Sequence, residues 1–285
     1  MNGVVESVVP RAAHWHPAQH VAAWREQGET LQPAAGPQPA ARMPLASLVE
    51  LLGGQPDAAS ESMPDLLSVH RLPRGTTLTH EGGRAAFVYV VQAGSLKYFR
   101  SSEDGYENVI GFAWKRDVIG LEALGTGCYA FSAVALEDSR AVMLPLRELA
   151  ELRRRVPALD AALHKRVAYQ LVHAGELAEV MAALSADTRL ARFVLQLSVR
   201  MAERGLSPRR ILLRMTRRDI AKYLGLAHET ISRSFGVLVR RGCVHVTQRE
   251  VEIVDLDALK QLARSTRAFG DEAAAAAPPH WARAA

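Results

Sequence analysis

At 285 residues, 48% of them apolar, the chain is long enough for two modest domains with real cores and some tail. Its two cysteines, Cys128 and Cys243, exclude a disulfide framework and fit a reducing cytoplasm; Met1 to Ala22 shows no secretory leader pattern, and no apolar run is long enough to span a membrane. The formal net charge is only +5, but between Asp187 and Glu250 fourteen Arg and Lys stand against five Asp and Glu, a local excess that suits a phosphate-backbone partner.

Residues 1–62 read as a largely flexible arm, because Pro33, Pro37, Pro39, Pro44 and Pro56 punctuate an Ala- and Gln-rich stretch. Within it, Met43 to Leu52 predicts a short helix with Leu45, Leu48 and Leu52 on one face, and His14, His16 and His20 form a cluster whose spacing could serve a metal or haem as well as no ligand at all. From residue 63 to 146 the pattern becomes short strands broken by glycine: Ser68–Leu72, Thr77–His80, Ala86–Gln92, Ser95–Arg100, Val109–Trp114, Asp117–Leu121 and Phe131–Leu136. Evenly spaced strands with turn residues predict a small antiparallel jelly roll. Residues 147–184 read as helical, with a short helix or turn over Pro145 to Leu152 and a long run from Pro157 to Leu184. Leu163, Val167, Ala174, Leu177, Met181 and Leu184 recur at spacings of three, four and seven, with Gln170 as the polar exception and Leu171 beside it. Such a narrow stripe suits a coiled-coil seam, or else packs on its own domain. Ser185 or Asp187 caps a following amphipathic helix, Gly205 ends it, and Ile211–Leu213, Val244–Val246 and Val251–Val254 predict a small sheet with a turn at Gln248–Glu250. Asp255 or Asp257 caps a last helix, and residues 264–285 read as a flexible tail.

Within residues 185–263, the stretch from Thr216 to Val246 is the most informative. Thr216 can cap a helix with Asp219 in its first turn; Ile220 and Leu224 share a face, and Gly225 falls where a sharp turn needs positive φ. A second helix then turns Ile231, Val237 and Leu238 inward and Glu229, Ser232 and Arg233 outward, the spacing of a helix-turn-helix whose second helix enters the DNA major groove. Arginine can bond guanine O6 and N7 together, a carboxylate accepts from a base amino group, and serine bonds either way. An ordinary Glu229–Arg233 pair on a solvated face is the bland reading. Arg217 to Gly236 resembles the DNA-reading motif of the Crp/Fnr family of bacterial transcription regulators, and Glu229-Thr230-Ile231-Ser232-Arg233 resembles its fumarate and nitrate reduction regulator branch. Ala227, where a Ser or Thr cap is usual, and Ser234, at a usually apolar position, depart from that pattern.

The resemblance, which covers about Leu66 to Ala263, implies an α+β architecture: an N-terminal antiparallel β-roll like the cyclic-nucleotide-binding domain, a long dimerisation helix and a C-terminal winged helix-turn-helix. It implies a cytoplasmic homodimer that binds double-stranded DNA at a TTGAT-type inverted repeat and contacts RNA polymerase. Glu229, Ser232 and Arg233 would read bases, Thr216, Arg217, Arg218 and Arg241 would hold phosphates, and the helix seam would be Leu163, Val167, Gln170, Ala174, Leu177, Met181 and Leu184. Where cyclic AMP-binding members carry Gly-Glu and Arg-Ser pairs, this chain has Gly120-Leu121 and Phe131-Ser132, so the phosphate-neutralising arginine is absent. The iron–sulfur chemistry of the branch lacks its thiolates: no cysteine precedes Cys128, and Val142 holds the internal cysteine position. No cofactor, metal or catalytic residue is expected, and a constitutive regulator and a haem- or Cys128-based sensor both stay open. A metal-dependent jelly-roll enzyme finds only His70, His80 and Glu81 in the β-roll.

Overall fold

In the computed structural model, residues 39–63 and 66–264 are described. The His14, His16 and His20 cluster and the expected tail lie outside them. The chain starts with β1 (Pro39–Pro44), α1 (Leu45–Leu51) and α2 (Ala58–Ser62), followed by β2 (Leu66–Leu72), β3 (Thr77–Thr79), β4 (Phe87–Ala93), β5 (Ser95–Ser101), β6 (Glu107–Trp114), β7 (Val118–Ile119), α3 (Ala123–Thr126), β8 (Ser132–Ala135) and β9 (Ser139–Pro145). Helices α4 (Leu146–Arg155), α5 (Pro157–Met181) and α6 (Ala186–Glu203) lead to β10 (Arg210–Leu212), α7 (Arg217–Leu224), α8 (His228–Arg240), β11 (Val244–Thr247), β12 (Glu250–Ile253) and α9 (Leu256–Arg264).

Two antiparallel sheets, ordered β1-β2-β9-β4-β7 and β3-β8-β5-β6, pack face to face as the roll. The alternation of a strand sends successive side chains to opposite faces. In β4, Tyr89 and Val91 enter the core between the sheets, with Leu72, Leu96 and Ala133, while Val88 and Val90 face outward onto helices. Those helices are α1, α4 and the start of α5, which supply Leu48, Leu149, Leu152, Leu159 and Leu163. Both faces of β4 are therefore covered, which explains its nearly unbroken apolar run.

Part of the expected flexible arm is instead built into this layer. β1 pairs antiparallel with β2 through Met43 opposite Leu67 and Pro44 opposite Leu66. Leu45, Leu48 and Leu52 of the expected helix are each 0% exposed. The prolines misled: Pro39 and Pro44 sit on an edge strand, where a missing N–H costs no ladder bond, and Pro44 directly precedes the first turn of α1. β9, not singled out in the sequence, lies central between β2 and β4.

The expected helix seam also divides. α5 ends at Met181, and Leu184 lies beyond it, directly before the Ser185 cap of α6. Leu163 is buried in its own chain, the Gln170 Nε2 amide donates to the Val118 carbonyl at 2.8 Å, and Leu177 packs on the C-terminal core. Val167, Ala174 and Met181 are exposed, and so are Leu171 and Ala178, which the stripe had passed over. The outward face is thus Val167, Leu171, Ala174, Ala178 and Met181, turned one residue from the predicted stripe at alternate positions. Both stripes have the same period, so spacing alone could not choose between them.

The C-terminal part is a helix-turn-helix with a three-stranded wing, β10-β12-β11. Ser185 is the residue that caps α6, accepting from the Thr188 amide at 3.1 Å, and Asp255 caps α9 through the amides of Asp257 and Ala258. Its core of Leu190, Phe193, Ile220, Leu224, Ile231 and Leu238 runs without a break into Phe99, Val109, Phe112 and Trp114, which line the outer face of the β3-β8-β5-β6 sheet.

Because Leu48 is fully enclosed by both strands and helices, Leu48→Ala should lower unfolding stability by about 2–5 kcal/mol in urea titration; a loss under about 0.5 kcal/mol would mean that α1 is not part of the cooperative fold.

Candidate nucleic-acid interface

The turn between α7 and α8 is built from local chemistry. The Thr216 hydroxyl accepts from the Asp219 amide at 3.1 Å and donates to its carboxylate at 2.6 Å, and the Thr216 amide donates back to that carboxylate at 2.9 Å. This capping box settles two amides at the start of α7. Gly225 closes the helix at φ 62°, and a Cβ there would stand 3.1 Å from the Met181 Cε of α5. Ala227 begins α8 with no side-chain cap. Ile231, Leu238 and Phe235 anchor the helix, and Ser234 is buried beside them.

Glu229, Ser232 and Arg233 project from the opposite, exposed face of α8. The Ser232 hydroxyl donates to the His228 carbonyl at 3.3 Å. Among the ion pairs of the described residues, none joins Glu229 to Arg233, so the bland i, i+4 reading has no contact to rest on. Carboxylate, hydroxyl and guanidinium therefore share one exposed face of a helix at spacings of three, one and four.

The four expected phosphate residues part company. Arg218 and Arg241 are exposed. Thr216 is exposed too, but its hydroxyl is committed to the cap. Arg217 is half-buried, its guanidinium centre 3.4 Å above the Phe235 ring, and burial pushes its pKa down to about 10. It braces α7 against α8 more than it reaches outward. A cleft of about 290 Å³ opens between the start of α7, the start of α8 and the wing, and gathers Thr216, Arg217, Arg218, His228, Gln248 and Arg249. His228, Gln248 and Arg249 were not expected here. The Gln248 φ of 53° marks the tight wing turn that carries Arg249 to the cleft, a signal the Gln248–Glu250 turn in the sequence already held.

This reader is clamped to the β-roll. Lys97 of β5 bonds Asp219 at 3.0 Å and Glu107 at 3.1 Å, and Glu107 also bonds Lys222 of α7 at 3.1 Å. Burial opposes ionisation of Asp219 and Glu107, but bonds from Thr216 and Lys97 to the first, and from Lys97 and Lys222 to the second, hold both carboxyls below the usual range. Beside this chain of charges the Phe112 ring lies 5.2 Å from Tyr223 and 6.3 Å from Phe193.

In the roll, Gly120 takes a φ of 91° as the turn there requires. Burial pushes up the Glu122 carboxyl despite its backbone bonds. Phe131, at the position of the missing arginine, packs on Tyr98 at 5.8 Å, and Arg100 lies 5.7 Å over its ring while pairing with Glu81 at 3.2 Å. Val142 is fully buried. Among the described residues no group of three or more His, Cys, Asp or Glu could hold a metal, and no helix is long and apolar enough to cross a membrane.

Residues 188–262 match the model of the Crp-like helix-turn-helix domain, and residues 69–156 match that of the cyclic nucleotide-binding domain. The chain is 34% identical over 210 residues to the transcriptional regulatory protein btr of Bordetella pertussis, covering 73% of this chain and 87% of that one. It is 35% identical over 196 residues to the fumarate and nitrate reduction regulatory protein of Escherichia coli, covering 69% and 78%. Among solved structures, FixK2 from Bradyrhizobium japonicum superimposes with a TM-score of 0.62 at 25% identity, covering 70% of this chain and 99% of that one.

Since Asp219 and Glu107 titrate below their ordinary values of 3.8 and 4.5, their stabilisation is complete above about pH 5 and is lost as pH falls through the folded-state values. Asp219→Asn should therefore lower stability at pH 7 and flatten the loss between about pH 5 and 2. Thermal unfolding across that range checks this, and an unchanged acid limb in the variant would refute it.

Proposed function

The chain belongs to the Crp/Fnr family of DNA-binding transcription regulators, and on that premise we propose that it acts as a homodimer that reads a TTGAT-type inverted repeat in response to a signal received by its β-roll. The observation that carries the reading is the outward face of α8, where Glu229, Ser232 and Arg233 stand exposed and, among the described residues, without ion pairs on a helix anchored from behind. In this reading Arg233 takes guanine O6 and N7, Glu229 accepts from a base amino group, and Ser232 gives up its helix carbonyl to bond a base. Arg218, Arg241 and Arg249 hold the phosphates on either side, with Arg217 and Thr216 keeping the helix start in place.

A second copy fits the outward face of α5. Val167, Leu171, Ala174, Ala178 and Met181 follow alternating steps of four and three, and Leu171 is 68% exposed in the single chain. Nothing lies within 4 Å of a Cβ built at Gly175, and small Ala174 and Ala178 allow close approach of a second helix. Two α8 helices related by that axis would read half-sites about one DNA turn apart. The dimer helix belongs, in this reading, to the segment 147–184 between a β-roll sensor and the reader. The Phe131 side chain at the would-be phosphate site supports a signal other than a cyclic nucleotide. The protein is then a cytoplasmic, non-enzymatic regulator that touches RNA polymerase from its surface loops.

Binding of the purified protein to a TTGAT…ATCAA duplex, against a scrambled duplex at fixed salt, tests the reading. Arg233→Ala should cost about 1–3 kcal/mol of specific binding and relax choice at one base position; unchanged preference in that variant would sink the base-reading assignment. Leu171→Glu should shift the protein from dimer to monomer in analytical ultracentrifugation and weaken operator binding at least tenfold, whereas Gln170→Glu should leave most of the dimer in place.

A further inference from the structure

A second basic feature lies away from the reader surface. Lys115 and Arg116, in the turn between β6 and β7, meet Arg166 and Tyr169 of α5 and Glu203 and Arg204 at the end of α6 around a cavity of about 200 Å³. Three structural units thus contribute one wall each: the β-roll, the long helix and the first helix of the reader domain. Four cations and one carboxylate, Glu203, line it, which leaves an excess of positive charge. Glu203 accepts from the Tyr169 hydroxyl, and Asp117, behind the wall, pairs with Arg204 at 3.3 Å and accepts from the Trp114 amide at 2.9 Å. Among the described residues, neither Lys115 nor Arg116 has an ion-pair partner.

Three observations say that the arrangement is built and incomplete. The Arg204 side chain is 8% exposed, yet among the described residues its Nε has no hydrogen-bond partner, and the buried Nε of Arg166 has none there either. Buried guanidinium N–H groups are nearly always bonded, so each is a donor awaiting an acceptor. Arg166, stacked 4.7 Å over Tyr169, has its pKa lowered first by burial; Asp117 and Tyr169 oppose that shift, and the like charges of Arg116 and Arg204 add to it. Arg116 holds a φ of 79°, in the left-handed region where a glycine would be at ease. One carboxylate, Asp117, already pairs with Arg204 and favours the charge on Arg166, so a second anion would offset the repulsion that remains among Lys115, Arg116 and Arg166.

We propose that this cavity binds a small phosphoryl anion, inorganic phosphate or the phosphate ester of a small metabolite, and thereby ties the β-roll, the long helix and the reader domain together. The Arg116 and Arg166 guanidiniums, the Nε of Arg204 and a lysine ammonium, coming from three structural units, suit a tetrahedral dianion better than a planar carboxylate. The volume leaves room for a small organic group on the phosphate, with the Tyr169 ring as its apolar wall. Because the anion contacts α6 as well as the sheet, it would stabilise one setting of the reader relative to the roll, and any arrangement that pulls them apart would release it.

The full-length protein is titrated with inorganic phosphate and, separately, with glycerol 3-phosphate, chloride keeping the ionic strength constant, and Tm is read together with calorimetric binding. The expected result is saturable binding of at least one probe, with Tm rising by about 4 °C at ten times its Kd. Response to both probes assigns free phosphate; response to the ester alone assigns a phosphorylated metabolite. Arg116→Gly relieves the strained φ and so should fold at least as well, yet bind at least tenfold more weakly. Lys115→Gln, at an exposed position, should weaken binding in the same direction. Arg218→Ala, on the reader surface, should keep the full response. The proposal is overturned if neither probe binds saturably, if Arg116→Gly and Lys115→Gln respond like the parent, or if Arg218→Ala abolishes the response and so places the anion on the DNA-facing surface. None of these readouts uses DNA, so failure here leaves the reading of α8 as it stands.

Discussion

The contact on which the rest of the structure depends is the one between the outer face of the β3-β8-β5-β6 sheet and the reader. Phe112 packs against Phe193 and Tyr223, and the charges Asp219, Lys97, Glu107 and Lys222 run alongside as one chain of ion pairs. Without it, each side would present an apolar face to water, at a cost of roughly 25 cal/mol per Å² exposed. The ion pairs add direction more than strength. Partly buried pairs roughly repay their desolvation, but a displaced reader would cost Lys97 its bond to Asp219 and Glu107 its bond to Lys222. The reader is held in one setting by apolar area and indexed there by charge.

Asp219 joins this clamp to the recognition machinery. The same carboxylate closes the capping box with Thr216 and accepts from Lys97 of the roll. Any change in the roll that moves β5 acts directly on the first turn of α7, and through Arg217 stacked on Phe235 it reaches α8. No long relay is needed, since a single residue belongs to both networks. A Cβ at position 225 would crowd Met181 from the other side, so the turn between the two helices lies close against α5. The roll and the long helix thus each meet the reader by a short physical route, one polar and one apolar.

The local excess of positive charge serves three ends. Arg218, Arg241 and Arg249 give the reader surface its field. Lys222, Arg204 and Arg214 are spent on ion pairs to Glu107, Asp117 and Glu137 of the roll. Arg200 and Arg204 also stack over Trp114. Counting cations along the chain therefore overstates the charge that faces a nucleic acid, because arginine packs and pairs as readily as it projects.

What the sequence determined by itself was whatever is written in local chemistry. The capping box at Thr216 and Asp219, the glycine at 225 and the outward triad on α8 are set by neighbours within a few residues, where hydrogen-bond geometry and helical period leave little choice. Most strands of the roll were legible for the same reason, where glycines mark the turns, but β1 and central β9 were not. What tertiary structure decided were choices between local equivalents. Two stripes on α5 share one period, and only the carbonyl of Val118, 52 residues away in sequence, turns Gln170 inward and leaves Leu171 outside. The prolines of residues 39–44 fit a loose arm or an edge strand equally, until β2 offers a partner. Arg217 reads as a phosphate contact until Phe235 lies beneath it. In each case the deciding energy is a contact between residues far apart in sequence, and no period or propensity along the chain carries that information.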